Sequence, residues 1–115
     1  MIAAAARYAH GGYETVLDFT IGPWILKSIQ SALKETPLDY VVLCPSERVC
    51  SQRAAGRAEG AMPDYSEYRE LHAAFRNLGA FERHALRSDT AEAEELAEEI
   101  RAGVRAGVYR VKTLR

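Results

Sequence analysis

Two arginines spaced four residues apart are the first side chains whose type and spacing could do chemistry. Arg53 and Arg57 lie in SERVCSQRAAGRAEG, a sequence that favours a helix from residue 46 to about residue 58. At this spacing both guanidinium groups would project from one face of the helix. Such pairs hold phosphate oxygens through paired hydrogen bonds and stay charged at physiological pH. The spacing therefore predicts a phosphate-binding face, and the alternative is a solvated helix surface.

A single acid stands at the end of the first apolar run. Asp18 lies in TVLDFTIGPWIL, where β-branched and apolar residues are followed by a turn at Gly22 and Pro23. In open α/β sheets, ligands gather beyond the carboxyl ends of the strands. Asp18 could there hold Mg²⁺ through water or accept a proton from a substrate hydroxyl. The alternative role is a carboxylate that caps the following turn.

A third candidate group is the turn formed by Ser88, Asp89 and Thr90, just before an alanine- and glutamate-rich run. At the start of a helix these residues could hold a base or a phosphate group. They are equally suited to capping the helix, because their side-chain oxygens accept hydrogen bonds from its free N–H groups.

Other kinds of catalytic site have no support in the sequence. The histidines follow no metal-binding spacing, and there is no GxSxG sequence of a serine hydrolase. Cys44 and Cys50 match neither a zinc site nor a redox CxxC pair, so we interpret them as small buried thiols. The histidines are His10, His72 and His84.

The overall composition is that of a folded protein with no strong charge. Of 115 residues 48% are hydrophobic, and 15 basic and 16 acidic residues give a formal net charge of -1. This balance supplies no general attraction for nucleic acid, so none is expected as a partner. The sequence has neither a signal peptide pattern nor an apolar run of membrane-spanning length. We therefore expect a soluble cytoplasmic protein without a membrane partner.

Helix and strand patterns alternate along the chain. A buried strand is indicated by the continuous apolar run Leu38 to Cys44, and Ser46 is a good cap for the helix after it. Leu96, Ala97, Ile100 and Val104 predict the inward face of the last helix. The alternation is typical of a parallel α/β sheet with right-handed crossovers. Helices are predicted at 1–10, 24–35, 46–58, 64–78 and 91–106, and strands at 13–19, 38–44, 84–87 and 109–111.

Three stretches together resemble the C-terminal part of P-loop small-molecule kinases, a group that includes adenylate-kinase-like and chloramphenicol-phosphotransferase-like proteins. They are VLDFTIGPWIL at 16–26, YVVLCPSERVCSQRAAGR at 40–57 and YSEYRELHAAFRNLGAFERHALRSDT at 65–90. The resemblance implies one kinase-like domain over residues 1–115, with a lid-like helix at about 46–60.

The same resemblance implies roles for the candidate residues. Asp18 would be the catalytic acid on the magnesium side, acting through water. Arg53 and Arg57 would be lid arginines that face the phosphates. The nucleotide would also be contacted by Ser88, Asp89 and Thr90.

One part of the family pattern is absent. Such kinases carry a strand and a GxxxxGK[ST] loop whose N–H groups and lysine hold the β and γ phosphates, and the sequence contains no such loop. The implied fold is a partial P-loop NTPase-like parallel sheet flanked by helices, without the N-terminal strand and the phosphate loop. In the family that strand lies between those ending here at Phe19 and Cys44. We therefore expect these two strands to pair directly, or a second chain to fill the gap.

The expected function is that of a P-loop kinase-like ATP-binding protein of the small-molecule phosphotransferase type. With a phosphate loop supplied, it would use ATP and Mg²⁺ and act on an acceptor that the sequence does not specify. These 115 residues alone are expected to be inactive, as a shortened kinase, one half of a split kinase or a remnant. The alternative is a non-catalytic oligomerising or partner-binding module, with a second copy or a complementing chain as its partner.

Overall fold

The chain divides into two units that each have their own buried residues. The computed structural model describes residues 1–34 and 36–112. The first unit comprises residues 1–34, 36–40 and 110–112, and the second comprises residues 41–109. The coarse prediction of a mixed helix and strand protein is confirmed.

Two helices form the core of the first unit. Helix α1 spans Ile2–His10, and helix α2 spans Leu26–Leu33 after a 3₁₀ turn at Pro23–Ile25. Proline suits the start of this turn because the N–H that it lacks would have had no partner there. The buried cluster consists of Ala6, Ile29 and Leu33, with Ile2, Ile21, Ile25 and Leu38 packed against it. The apolar spacing predicted for the second helix is thus confirmed at residues 29 and 33.

The chain closes the first unit through residues far apart in sequence. The guanidinium of Arg110 pairs with the Asp39 carboxylate at 3.2 Å across an antiparallel bridge, and the Val111 N–H donates to the Leu38 carbonyl at 2.9 Å. Tyr40 donates its hydroxyl proton to the Ile21 carbonyl at 2.5 Å, and burial raises the pKa of Tyr40 to about 12. Part of the predicted terminal strand at 109–111 is therefore a single bridge.

The first predicted strand, at 13–19, is wrong: these residues belong to no helix or sheet, and the chain bends at Phe19. From residue 14 to residue 20, no backbone N–H or C=O group hydrogen-bonds to any described residue. Val16 is 88% exposed. High β propensity favours an extended backbone, but a strand also needs a neighbouring strand for its hydrogen bonds. The expected direct pairing of this stretch with the strand that ends at Cys44 is therefore also wrong.

A short parallel sheet lies in the second unit. Strand β1 spans Val42–Leu43 and pairs with strand β2 at Ala85–Leu86. Residue 42 stands opposite residue 85, and residue 43 opposite residue 86. The prediction of a parallel sheet is confirmed in its coarse form, although both strands are shorter than the predicted runs at 38–44 and 84–87.

Three α-helices complete the second unit. Helix α3 spans Glu47–Ala55, helix α4 spans Arg69–Arg76 and helix α5 spans Ala93–Ala106. Two 3₁₀ segments, Ser66–Tyr68 and Gly79–His84, flank helix α4.

Helix α5 differs from its prediction at its start and on its apolar face. Its N-cap is Glu92, which forms a reciprocal capping box with Glu95, so the predicted start at residue 91 is wrong by two residues. No residue of α5 is buried, so the predicted inward face is wrong: Val104 is exposed, and Leu96 and Ile100 are only half-buried.

Candidate functional site

A cleft of about 530 Å³ opens where strand β1 ends and helix α3 begins. Its position follows from the sequence, because Pro45 stops the strand and Ser46 begins the helix. It combines the carboxyl end of a parallel strand with the first turn of a helix, a place where ligands commonly bind in α/β proteins. The lining residues include Cys44, Pro45, Ser46, Glu47, Arg48, His72, Arg76, Arg87 and Asp89.

Asp89 holds the first turn of helix α3. Its Oδ1 accepts the backbone N–H of Ser46 at 2.7 Å, while the Ser46 hydroxyl accepts the Val49 N–H at 3.3 Å. The hydrogen bond from Ser46 lowers the pKa of Asp89 below its usual value, since it stabilises the ionised carboxylate. One internal anion therefore already lies at this helix N-terminus, where an anion is electrostatically favoured.

The three arginines of the cleft are held in different ways. Arg87 is fixed by the Glu82 carboxylate at 2.8 and 3.0 Å and by the Phe75 carbonyl at 2.7 Å, and the pairing with Glu82 raises the pKa of Arg87. By contrast, Arg48 and Arg76 are exposed, and their guanidinium groups form no hydrogen bond or ion pair with any described residue. Two guanidinium groups in the cleft are thus available to a ligand.

The acidic side chains of the cleft do not neutralise the positive charge of Arg48 and Arg76. Glu47 pairs with Arg69 at 2.9 Å, and Asp89 is bound to the backbone of the first turn. The cleft therefore carries a local positive charge, although the net charge of the whole chain is -1. The arrangement favours an anionic ligand.

A histidine and a cysteine form the inner wall of the cleft. His72 Nε2 lies 3.0 Å from the Pro45 carbonyl and 3.8 Å from Cys44 Sγ. Because a carbonyl only accepts, Nε2 carries the proton; His72 is 6% exposed, and its buried Nδ1 has no partner among the described residues. Burial raises the pKa of Cys44, an effect that Arg87 partly opposes. Cys44 is therefore held as a thiol, which does not favour nucleophilic chemistry.

The two arginines predicted to share a helix face do not do so. Arg53 lies in helix α3, and its Nη2 donates to the Asp89 backbone carbonyl at 3.4 Å. The structure thus brings together Arg53 and Asp89, which the sequence proposed as phosphate-binding residues. Arg57 lies beyond the helix, which ends at Ala55 with Gly56 as its C-cap. The i, i+4 argument for Arg57 is therefore wrong, because it needs continuous helix up to that residue.

Ser88 and Thr90 form a turn and do not stand at a helix N-terminus. The Ser88 hydroxyl accepts the backbone N–H groups of Thr90 at 3.3 Å and Ala91 at 2.9 Å. Helix α5 begins only at Ala93. The prediction that this turn presents a helix terminus to a ligand is therefore wrong. The Ser88 hydroxyl closes the turn and does not cap helix α5.

Asp18 belongs to the first unit and lies in a stretch without helix or strand. Its side chain is exposed and forms no hydrogen bond or ion pair with any described residue, so it does not cap the following turn. Within residues 1–34 and 36–112, no cluster of three or more histidine, cysteine, aspartate or glutamate side chains could hold a metal ion.

The sequence interpretation missed Arg48, Arg76 and His72 as cleft residues. The place of Arg48 could have been found from the sequence. Pro45 ends the strand and Ser46 caps the next helix, so Arg48 lies in the first turn of helix α3. No such signal exists for Arg76 and His72, since their places depend on how helix α4 packs.

Comparisons with known proteins identify no relative: no family model, no curated protein and no solved structure matches this chain. In the part of the chain that the structure describes, no helix has the length and apolar character needed to cross a membrane.

Proposed function

We propose that the second unit binds the phosphate groups of a nucleotide in the cleft at the start of helix α3. The observation that carries the proposal is that Arg48 and Arg76 line this cleft with guanidinium groups that have no partner among the described residues. Guanidinium groups that have no protein partner can each give two hydrogen bonds to phosphate oxygens. The phosphate chain of ATP is the ligand that best uses both.

Backbone N–H groups at the start of helix α3 add to the attraction of the cleft for phosphate. In helix α3 the N–H groups of Ser46 and Val49 are taken by Asp89 and Ser46, respectively. The N–H groups of Glu47 and Arg48 lie in the same first turn, where a helix offers no internal acceptors. Together with the helix dipole, they supply donors that favour an anion next to the free arginines.

The resemblance to P-loop small-molecule kinases suggests which nucleotide and which reaction the cleft would serve. We propose an ATP-binding protein of the phosphotransferase type, in which Arg48 and Arg76 hold phosphate oxygens and Arg53 contributes from helix α3. Bound Mg²⁺ would offset phosphate charge. Mg²⁺ is usually held by one or two carboxylates, phosphate oxygens and water. Asp18, the acid that the resemblance implies for the Mg²⁺ side, belongs to the first unit, so it has no assigned part in this cleft.

Phosphoryl transfer from ATP requires a phosphate-binding loop that the 115 residues do not contain. Phosphoryl transfer depends almost entirely on positioning and on stabilising charge, and the lysine-bearing loop GxxxxGK[ST] supplies much of both. Since the 115 residues contain no such sequence, we expect phosphate release from ATP to stay at background unless another segment or chain provides one. Phosphate release well above background from the pure chain would contradict this part of the proposal.

The binding proposal is tested by calorimetric titration at low salt with two separate probes, tripolyphosphate and adenosine. We expect tripolyphosphate to bind and adenosine to bind much more weakly, because the free charges recognise phosphate. Arg48→Gln and Arg76→Gln should each weaken tripolyphosphate binding about tenfold, since a hydrogen bond to a charged group contributes about 1.5–3 kcal/mol before solvent screening reduces it.

A matched control is Arg105→Gln on helix α5, which removes one exposed and unpaired arginine outside the cleft. This variant should bind tripolyphosphate like the unmodified chain. Equal losses in all three variants would mean nonspecific attraction and would overturn the proposal. The absence of binding at millimolar tripolyphosphate would overturn it as well.

A second candidate function is a non-catalytic partner-binding module. Residues 14–20, whose backbone groups have no partner among the described residues, favour it. This alternative predicts a stable complex with another chain and no effect of tripolyphosphate on thermal stability. The two functions are separable, because the residues concerned lie in different units.

A further inference from the structure

Helix α5 lies on the surface of the second unit along its whole length. None of its residues is buried, whereas each of the helices α1 to α4 has at least one buried residue. The helix has 14 residues, a length at which a helix without tertiary contacts is only marginally stable in water. Helices in proteins are stabilised mainly by the packing of an apolar face. A surface that covers α5 would therefore stabilise it.

One side of helix α5 already contacts the rest of its unit. The ring of Tyr109 packs against Gly103, and on the same side Leu96 and Ile100 are half-buried. At about 3.6 residues per turn, an apolar stripe adjoins this side and faces solvent. The exposed side chains of the stripe are Ala93, Ala97 and Val104. The apolar surface of α5 is therefore wider than the part that its own unit covers.

A row of four charged side chains borders the exposed stripe. From the N-terminus the row reads acid, acid, base, base, and it consists of Glu94, Glu98, Arg101 and Arg105, all exposed. Glu94 and Arg105 form no ion pair with any described residue. Glu98 and Arg101 pair with each other, but their side chains are 72% and 57% exposed and so stay accessible to a partner.

The order of these charges makes the row complementary to its own reverse. When two identical helices pack antiparallel about a two-fold axis, the same flank of each helix meets the other. Glu94 then lies opposite the partner's Arg105, and Glu98 lies opposite the partner's Arg101. Opposite charges beside a helix–helix seam determine partner choice and orientation. The charges therefore favour an antiparallel second copy.

Other occupants of this face match the row less well. A basic helix would attract the two acids but repel the two arginines, and an acidic helix would do the reverse. A parallel second copy would place the row beside the opposite flank of the partner helix, which carries Leu96 and Gly103 and no matching charge. Only the antiparallel second copy pairs each charge of the row with its opposite.

We infer that helix α5 packs antiparallel against helix α5 of a second copy of this chain. The contact buries the exposed apolar stripe and sets the acidic half of each row against the basic half of the other. Because the same surface is used by both copies, the contact closes at a dimer. The inference goes beyond nucleotide binding and does not depend on it, since none of these residues lines the cleft.

The test exchanges the charges of the row and measures association by sedimentation velocity over a concentration series. Glu94→Arg with Glu98→Arg makes the whole row basic, and Arg101→Glu with Arg105→Glu makes it acidic. Each variant alone should self-associate at least about tenfold more weakly than the unmodified chain, because like charges then face each other. An equal mixture of the two should recover a dimer. Recovery would also show that both variants fold.

The control for net charge is Glu67→Arg with Glu70→Arg, which changes the same charge at two exposed acids outside helix α5. This variant should dimerise more strongly than the basic-row variant. Mixed with the acidic-row variant, it should form fewer mixed dimers than the basic-row variant does, because only the basic row matches the acidic row along its whole length.

A second pair of variants tests the apolar stripe. Ala97→Glu places a charge in the middle of the stripe, and its burial without a partner should weaken self-association at least about tenfold. Ala102→Glu is the matched control, because Ala102 is exposed on the opposite side of the same helix. It should leave self-association unchanged.

Four outcomes would overturn the inference. A chain that stays monomeric up to millimolar concentration has no such contact. A dimer that both row variants leave intact uses another surface. Equal recovery with the Glu67 and Glu70 control would reduce the association to net charge. An equal effect of Ala97→Glu and Ala102→Glu would mean that the stripe is not the contact.

Discussion

Asp89 shows at the scale of one residue how the cleft is arranged. Its carboxylate lies where a bound anion would be favoured, at the first turn of helix α3. A phosphate group that approaches the same turn would have to displace this carboxylate or lie beside it. Asp89 is therefore a competitor of the ligand as well as a support for the loop, in contrast to the binding role that the sequence predicts.

This role leads to an unusual prediction for a residue in a binding cleft. Asp89→Asn should strengthen tripolyphosphate binding severalfold in calorimetry, because it removes a negative charge beside the ligand while an amide oxygen can still accept the Ser46 N–H. The matched control is Asp64→Asn, because Asp64 accepts the Ser66 N–H at 2.9 Å in a comparable way but does not line the cleft. Weaker binding in the Asp89 variant would show that its carboxylate helps to hold the ligand.

The lowered pKa of Asp89 also predicts a pH dependence of stability. The Ser46 hydrogen bond lowers the pKa of Asp89 in the folded chain below the value in the unfolded chain, which is about 3.9. The resulting stabilisation is present above the unfolded pKa and is lost as the pH falls through the folded pKa. Urea unfolding between pH 6 and pH 2.5 should therefore show a smaller loss of stability in Asp89→Asn than in the unmodified chain. Parallel pH curves for the two proteins would refute this prediction.

At the scale of elements, helix α5 is held by a close approach that only glycine allows. A Cβ atom on Gly103 would overlap the ring of Tyr109, with Cδ2 at 2.9 Å, and Tyr109 is buried. The left-handed Gly107, at φ 76°, turns the chain so that this ring returns to the helix. Two glycines thus position one aromatic side chain.

Gly103→Ala should therefore destabilise the second unit, although alanine is the better helix former. The helix gains up to about 1 kcal/mol from the change, whereas overpacking typically costs about 1–3 kcal/mol. We expect a net loss of about 1 kcal/mol in urea unfolding. In the background of Tyr109→Ala, the same change should become neutral or stabilising, because the ring is gone. A gain of stability in the unmodified background would contradict the close packing of Gly103 and Tyr109.

The apolar face of helix α5 shows that sequence periodicity predicts the helix but does not predict the burial of its apolar side chains. Leu96, Ile100 and Val104 recur at helical spacing, and the helix forms as this spacing predicts. None of them is buried. Periodicity shows which side chains share a face, but burial needs a second surface that periodicity does not describe.

At the scale of the whole molecule, the buried residues belong to two separate units. The first unit contains the cluster of Ala6, Ile29 and Leu33, and the second has its own buried side chains, including Val42, Val49 and Leu78. Cooperative unfolding follows from a shared core, so two cores can give two transitions.

We therefore predict that urea unfolding is not a single transition. Trp24, the one tryptophan of the chain, reports on the first unit, whereas helices of both units contribute to the far-UV circular dichroism. Its fluorescence transition should have a different midpoint from the circular dichroism transition. Coincident midpoints and slopes for the two probes would show that the chain unfolds as one cooperative body.

The sequence by itself determined the features that depend on neighbouring residues. Ser46 caps helix α3, Gly107 ends helix α5 in a left-handed conformation, and the coarse prediction of a mixed helix and strand protein is confirmed. These features are local because a cap or a left-handed turn needs only the groups within about one helical turn.

Only the tertiary structure decided which residues meet. It placed the carboxylate of Asp89 on the first turn of helix α3 and fixed Arg87 through Glu82. It left the guanidinium groups of Arg48 and Arg76 in the cleft without a partner in the described part of the chain. It also left residues 14–20 without the strand partner that their β propensity predicts. The physical reason is the same in each case: hydrogen-bond partners and burial come from residues distant in sequence, and no local pattern specifies them.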